Sequence, residues 1–148
     1  MKQSNFAKLY KKPAFLNPYG HPLNEFPFYI DVELTNVCNL KCIMCSRQIM
    51  TRKLGYMDWG IYKRIIDETS RYEAGERFVR FGEPFLHEEI IEMSKYARNG
   101  NVLLFISTNG LLLSEEVCRK IVTTRIDEVR FSMQGTDRAE YENIRVNG

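Results

Sequence analysis

The chain has 148 residues, 44% hydrophobic, 12% aromatic and 27% charged, with a net charge of +2. That composition fits one globular domain with a real core and excludes a disordered polyelectrolyte. The small charge argues against nucleic acid or an anionic membrane as a partner, and no apolar run nears the roughly 20 residues of a membrane helix. The N-terminus, Met1-Lys2-Gln3-Ser4-Asn5-Phe6-Ala7-Lys8, lacks the apolar stretch of a secretion signal. The expected compartment is therefore the cytoplasm, where thiols stay reduced. Clustered cysteines there read as metal-binding or redox-active before they read as disulfides.

Residues 1–26 carry Lys8, Lys11, Lys12, Pro13, Pro18, Gly20 and Pro22 with no sustained period, and read as a lead-in segment. The domain proper is expected over residues 27–148. Phe28, Ile30, Val32 and Leu34 alternate with Tyr29, Asp31, Glu33 and Thr35, which predicts a strand with one apolar and one polar face. A cysteine-bearing loop then runs on to Gly55. Asp58 has the character of an N-cap, and Trp59, Tyr62, Ile65, Ile66, Thr69 and Tyr72 recur at helical spacing after it. A second strand is predicted over residues 77–81, ending in Gly82-Glu83-Pro84, and a second helix over 88–98, stopped by Asn99-Gly100.

The unbroken apolar run 102–106 predicts a strand buried on both faces, ending in Ser107-Thr108-Asn109-Gly110. Ser114 caps a third helix whose inner face is expected at Val117, Cys118, Ile121 and Val122, with Cys118 acting as a small buried hydrophobe. A fourth strand is predicted over residues 126–133. Val129, Phe131 and Met133 point one way along it, and Glu128, Arg130, Ser132 and Gln134 the other. Thr136 opens a last helix that runs to the end of the chain.

Four strand–helix units in a row define an α/β fold with a parallel sheet and right-handed crossovers. Ligands in such sheets sit at the carboxyl ends of the strands. The cysteine loop, Gly82-Glu83-Pro84, Ser107-Thr108-Asn109-Gly110 and Ser132-Met133-Gln134-Gly135 all fall there. The polar faces of the strands, with Arg80 and Arg130 among them, are expected to line a charged concavity while the apolar faces meet the helices.

Three of the four cysteines fall within eight residues as Cys38-x3-Cys42-x2-Cys45. Three thiolates on one short loop can hold three corners of an iron–sulfur cube, and a standard cube takes four protein ligands. One iron would be left open. Zinc is the main rival, but a structural zinc takes four ligands, usually as two separated pairs, and His21 and His87 are the only histidines. A thioredoxin-like pair at Cys42 and Cys45 wants a helix N-terminus and leaves Cys38 unexplained.

Cys38-x3-Cys42-x2-Cys45 after a first strand, Gly82-Glu83-Pro84 after a second and Ser132 after a fourth resemble the radical S-adenosylmethionine (radical SAM) superfamily. The neighbouring residues Asn39-Leu40-Lys41, Leu86-His87 and Tyr141-Glu142-Asn143-Ile144-Arg145 are most similar to the branch that often carries a C-terminal auxiliary-cluster, SPASM-type domain. The resemblance covers about residues 28–148. The cysteine motif is its specific part, and the other motifs gain meaning from their order.

The resemblance implies that Cys38, Cys42 and Cys45 hold a [4Fe-4S] cluster whose unique iron binds the amino and carboxylate groups of S-adenosylmethionine. Glu83 would accept a hydrogen bond from the methionine ammonium, a charge-assisted contact suited to orienting it. Ser132 would contact the ribose, and Arg145 is a candidate partner for the methionine carboxylate. Ser107 and Thr108 would border the same pocket. Met44 stands where the family usually has an aromatic residue near the adenine, and a thioether can make a soft contact with a ring. Phe81 replaces the first glycine of the commoner Gly-Gly-Glu-Pro. The implied activity is reductive cleavage of S-adenosylmethionine to a 5′-deoxyadenosyl radical, which takes a hydrogen atom from a polar substrate. The implied partner is a one-electron reductant such as flavodoxin or ferredoxin.

The family's core is a partial (β/α) barrel of six strand–helix units, and this sequence supplies four. The chain therefore reads as a truncated N-terminal portion of such a core, with the fourth strand an edge open to association. The rival functional reading is a non-catalytic zinc or Fe–S scaffold.

Overall fold

A computed structural model describes residues 26–146, so the expected lead-in lies outside the described residues except for Phe26. Four strands alternate with four helices: β1 Tyr29–Val32, α1 Trp59–Arg71, β2 Gly75–Phe78, α2 Ile90–Asn99, β3 Leu103–Thr108, α3 Glu115–Thr124, β4 Glu128–Phe131 and α4 Arg138–Ile144. The strands form one all-parallel sheet in the order β1-β2-β3-β4. This is the expected α/β fold, an open sheet forming part of a barrel.

The alternation seen in sequence decides which face meets the helices. Val32 and Leu34, Phe78, and Leu104 and Ile106 pack against Tyr62 and Ile66 of α1 and Ile90, Met93 and Ala97 of α2. Tyr62 is fully buried and its hydroxyl donates to the Met93 carbonyl at 2.9 Å, tying α1 to α2. Two caps fall where the sequence placed them, whereas α4 is capped by Asp137 rather than opened by Thr136 and ends at Ile144. Asp58 accepts from the Gly60 and Ile61 amides, and Ser114 from the Val117 amide.

The opposite face carries the expected polar residues. Asp31 of β1 pairs with Arg77 at 2.6 Å and with Arg80 at 2.7 Å, and the Arg130 guanidinium lies 5.0 Å from the Phe105 ring centroid. Neither Arg80 nor Arg130 is packed beneath the helices, since both side chains are largely exposed. The centre of this face is apolar, however: Phe105 is buried against Val79 and Leu103.

Several boundaries differ from the sequence expectation. Strand β2 ends at Phe78 rather than residue 81, because Arg80 adopts φ 96° and breaks the extended backbone. Strand β3 runs on through Ser107 and Thr108, and β4 shortens to four residues. Gly100 keeps φ near −80°, and the left-handed turn after α2 falls on Asn101 instead. The expected inner face of α3 is not buried. Val122 is 75% exposed, Val117 and Ile121 are only partly covered, and Cys118 is an exposed free thiol. The helix has the amphipathic pattern of a buried face, but among the described residues that face is only partly covered. Likewise Phe131 and Met133, expected against helices, are 54% and 69% exposed.

Candidate cofactor site

The site is built at the carboxyl ends of the strands, where each chain reversal delivers polar groups to one place. After β1 the backbone turns through Thr35-Asn36-Val37, held by the Val37 amide donating to Thr35 Oγ1 at 3.0 Å. Asn36 clamps the far end of the cysteine loop by donating to the Lys53 carbonyl at 3.0 Å and accepting from the Gly55 amide at 2.8 Å. Thr35 Oγ1 donates to the Gly55 carbonyl at 2.7 Å. The cysteine segment is thus the middle of a long excursion closed on itself. Inside it, the Leu40 amide donates to Cys38 Sγ at 3.4 Å, the Cys45 amide to the Cys42 carbonyl at 3.0 Å, and Arg47 to the Leu40 carbonyl at 3.0 Å.

The loop after β2 brings in Glu83. Gly82 has φ 87°, and a Cβ there would lie 2.1 Å from the Thr35 carbonyl oxygen, so only glycine lets this turn pass the first one. The Glu83 amide then donates to the Val37 carbonyl at 2.8 Å. The Glu83 side chain, 2% exposed, receives three donors: Thr108 Oγ1 at 2.7 Å and the Phe85 amide at 3.3 Å on Oε1, and the Asn109 amide at 2.8 Å on Oε2. Its carboxyl group is therefore fixed by the end of β3. Asn109 also reaches across to the cysteine loop, donating from Nδ2 to Asn39 Oδ1 at 2.8 Å.

The ends of β3 and β4 meet through Ser107 and Ser132, whose hydroxyls are 3.1 Å apart. Arg145 closes the site from the other side. It is 9% exposed at the end of α4. Its guanidinium donates to the Ser132 carbonyl at 2.7 Å, to Cys42 Sγ at 3.4 Å and to Gln134 Oε1. Backbone bonds from Lys41 to Val146 and from Ile43 to Ile144, each 3.0 Å, stitch the cysteine loop to the segment around Arg145.

These groups line a half-open cavity of about 290 Å³. Cys38, Cys42, Cys45, Met44, Glu83, Ser107, Thr108, Ser132 and Arg145, all nine candidates from the sequence, line it. Arg80, expected to line the charged concavity, lines it too, as do Arg47 and Asn109, which are not among the nine. Asn109 carried a usable signal, since it follows Thr108 at a strand's carboxyl end. Arg47 carried none beyond its charge. His87 lies elsewhere, buried and bonded to the Met57 carbonyl at 3.1 Å and the Glu89 amide at 3.2 Å. Cys118 is likewise absent from the cavity.

Burial pushes the Cys38 thiol above its ordinary pKa; the Leu40 amide and Arg47 oppose this, and Glu83 and Cys42 reinforce it. Among the described residues no three His, Cys, Asp or Glu side chains converge on a single-ion position. One zinc needs its ligands around one point, whereas a cube takes one thiolate at each of three separate irons. Three soft thiolates on one loop are donors suited to an iron–sulfur cluster or a zinc ion, and the nearby Glu83 carboxylate is oriented by the chain.

Parallel strand–helix units with a three-cysteine loop after the first strand and a Gly-Glu-Pro turn after the second define a class of cofactor-binding α/β proteins. Comparison with known proteins makes this specific. The radical SAM superfamily model matches residues 32–148, and the chain belongs to that superfamily. It is 33% identical over 107 residues to the tungsten-containing aldehyde ferredoxin oxidoreductase cofactor-modifying protein of Pyrococcus furiosus, covering 71% of this chain and 30% of that protein. It is 30% identical over 136 residues to mycofactocin maturase MftC of Mycobacterium tuberculosis, covering 92% and 34%. The crystal structure of Streptococcus suis SuiB bound to S-adenosylmethionine superposes with TM-score 0.71 at 17% identity, over 81% of this chain and 28% of that one. The chain spans about a third of the length of these curated relatives.

Proposed function

We propose that Cys38, Cys42 and Cys45 hold a [4Fe-4S] cluster and that S-adenosylmethionine binds beside it in the same cavity. The observation that carries this reading is the convergence of three thiols with Glu83 and Ser132, from successive strand ends, and Arg145, from the end of α4, on one cavity. SuiB, of similar fold, is known bound to S-adenosylmethionine. Together the two cofactors supply one-electron cleavage of a carbon–sulfur bond and, with it, removal of a hydrogen atom from substrate.

The chain's own work is positioning. Thr108 and Asn109 hold the Glu83 carboxyl in one orientation, ready to accept from an ammonium group without reorganisation. The Ser107–Ser132 pair presents hydroxyls suited to a ribose, and Met44 a thioether suited to a ring. Arg145 offers a fixed cation to a carboxylate. Leu40, Val79 and Pro84 give the cavity an apolar share of its lining. The reductant is a one-electron donor of the flavodoxin or ferredoxin kind, the substrate a polar molecule, and the compartment the cytoplasm.

The test is product analysis. The chain, reconstituted anaerobically with iron and sulfide and given dithionite and S-adenosylmethionine, is expected to release 5′-deoxyadenosine, and Cys42→Ala to release none. A reconstituted wild-type chain that neither binds S-adenosylmethionine nor yields 5′-deoxyadenosine contradicts the reading.

A further inference from the structure

Arg145 has an unusual set of partners. Its guanidinium is buried, yet the three acceptors it reaches are an amide oxygen of Gln134, the Ser132 carbonyl and the sulfur of Cys42. Among the described residues no carboxylate is ion-paired with it, although most other arginines with a described partner here have one. A buried cation without an anion is strongly unfavourable. Of the three acceptors, only the sulfur of Cys42 can carry a negative charge.

The position is also rigid. Nε is held by Gln134, one terminal nitrogen by Ser132, and the backbone on either side of Arg145 is bonded to residues on either side of Cys42. The donor therefore stays against Cys42 Sγ without help from a ligand.

On the reading proposed above, we infer that Arg145 donates to the Cys42 sulfur so as to make the cluster easier to reduce, in addition to any contact with S-adenosylmethionine. A fixed positive charge and a hydrogen bond at a ligand sulfur both favour the more negative, reduced state, and such contacts are among the levers that set Fe–S potentials. A charge-assisted hydrogen bond is worth about a factor of ten in an equilibrium.

The experiment is an EPR-monitored redox titration of the reconstituted chain without S-adenosylmethionine, comparing wild type with Arg145→Gln, Arg145→Lys and Gln134→Leu. At the wild-type midpoint, Arg145→Gln is expected to lower the reduced-to-oxidised ratio about tenfold, a fall in potential of about 59 mV for one electron. Arg145→Lys should recover part of the shift. Gln134→Leu, which leaves Arg145 in place but unsteadied, should move the potential a smaller amount the same way and serves if Arg145→Gln fails to fold. If all variants that load iron to the wild-type level share its potential, and only their affinity for S-adenosylmethionine drops, the sulfur-donor role is overturned and Arg145 is a carboxylate partner alone. Failure of the wild type to assemble any cluster would instead overturn the underlying cofactor reading.

Discussion

Strands β1 to β3 with α1 and α2 differ sharply from β4 with α3 and α4. In the first region apolar side chains from both layers are almost wholly buried: Tyr62, Ile66, Phe78, Met93, Ala97, Leu104 and Ile106. In the second, Val122, Phe131 and Met133 face solvent and α4 buries none of its own residues. The site straddles the two. Glu83, Thr108 and Asn109 stand on the packed region, while Ser132 and Arg145 come from the open one and are held by Arg145's bonds to the cysteine loop. The comparison separates fold stability, which belongs to the first region, from completion of the cavity, which needs both.

The largest expected effect is on the cofactor. Cys42→Ala should abolish cluster assembly, read as loss of bound iron and of the Fe–S absorption band, whereas Cys118→Ala, on exposed α3, should assemble normally. Equal loss in both would mean the ligand set is wrong. Next comes the core. Phe78→Ala should cost about 3–5 kcal/mol by denaturant melt, and Phe131→Ala within about 0.5 kcal/mol. Comparable losses would erase the distinction between the two regions.

Glu76 supplies a pH test of the packed region. It is buried on the helix side of β2, with Thr69 Oγ1 donating to one carboxyl oxygen at 3.2 Å and the other oxygen without a partner among the described residues. Burial pushes its pKa up to about 8. The unfolded chain gives up that proton near the ordinary carboxylate pKa, while the folded chain keeps it. The contribution to stability is thus complete below about pH 4 and declines as pH rises to about 8, by a few kcal/mol in all. Glu76→Gln should flatten stability measured across pH 5 to 8, and an unchanged slope would count against this role. The smallest effects concern the caps. Asp58→Ala should lower global stability by about 1 kcal/mol. Ser114→Ala should show mainly as faster amide exchange within α3, because that helix is little coupled to the core.

Much of the fold could be read from the sequence because its signals were periodic or chemical. Alternation at Phe28, Ile30, Val32 and Leu34 gave β1 and its buried face, and Asp58 and Ser114 gave the helix starts. The nine candidate site residues lie together because a parallel sheet carries every strand's carboxyl end to one side. Three features were hidden. Amphipathicity in α3 shows that a face is apolar and not whether anything covers it, so Cys118 was misplaced. Arg80 ends β2 by a positive φ that arginine's identity does not announce. The burial of Arg145 depends on bonds to Cys42 and Ser132, reached across long or irregular stretches of chain that no local pattern encodes.

The central claim is that the Cys38–Cys45 loop is built for an iron–sulfur cube, and the most direct measurement is metal content after anaerobic reconstitution. The expected result is about four irons and as many sulfides per chain, with none retained by Cys42→Ala. A colourless protein with one tightly held zinc would contradict it.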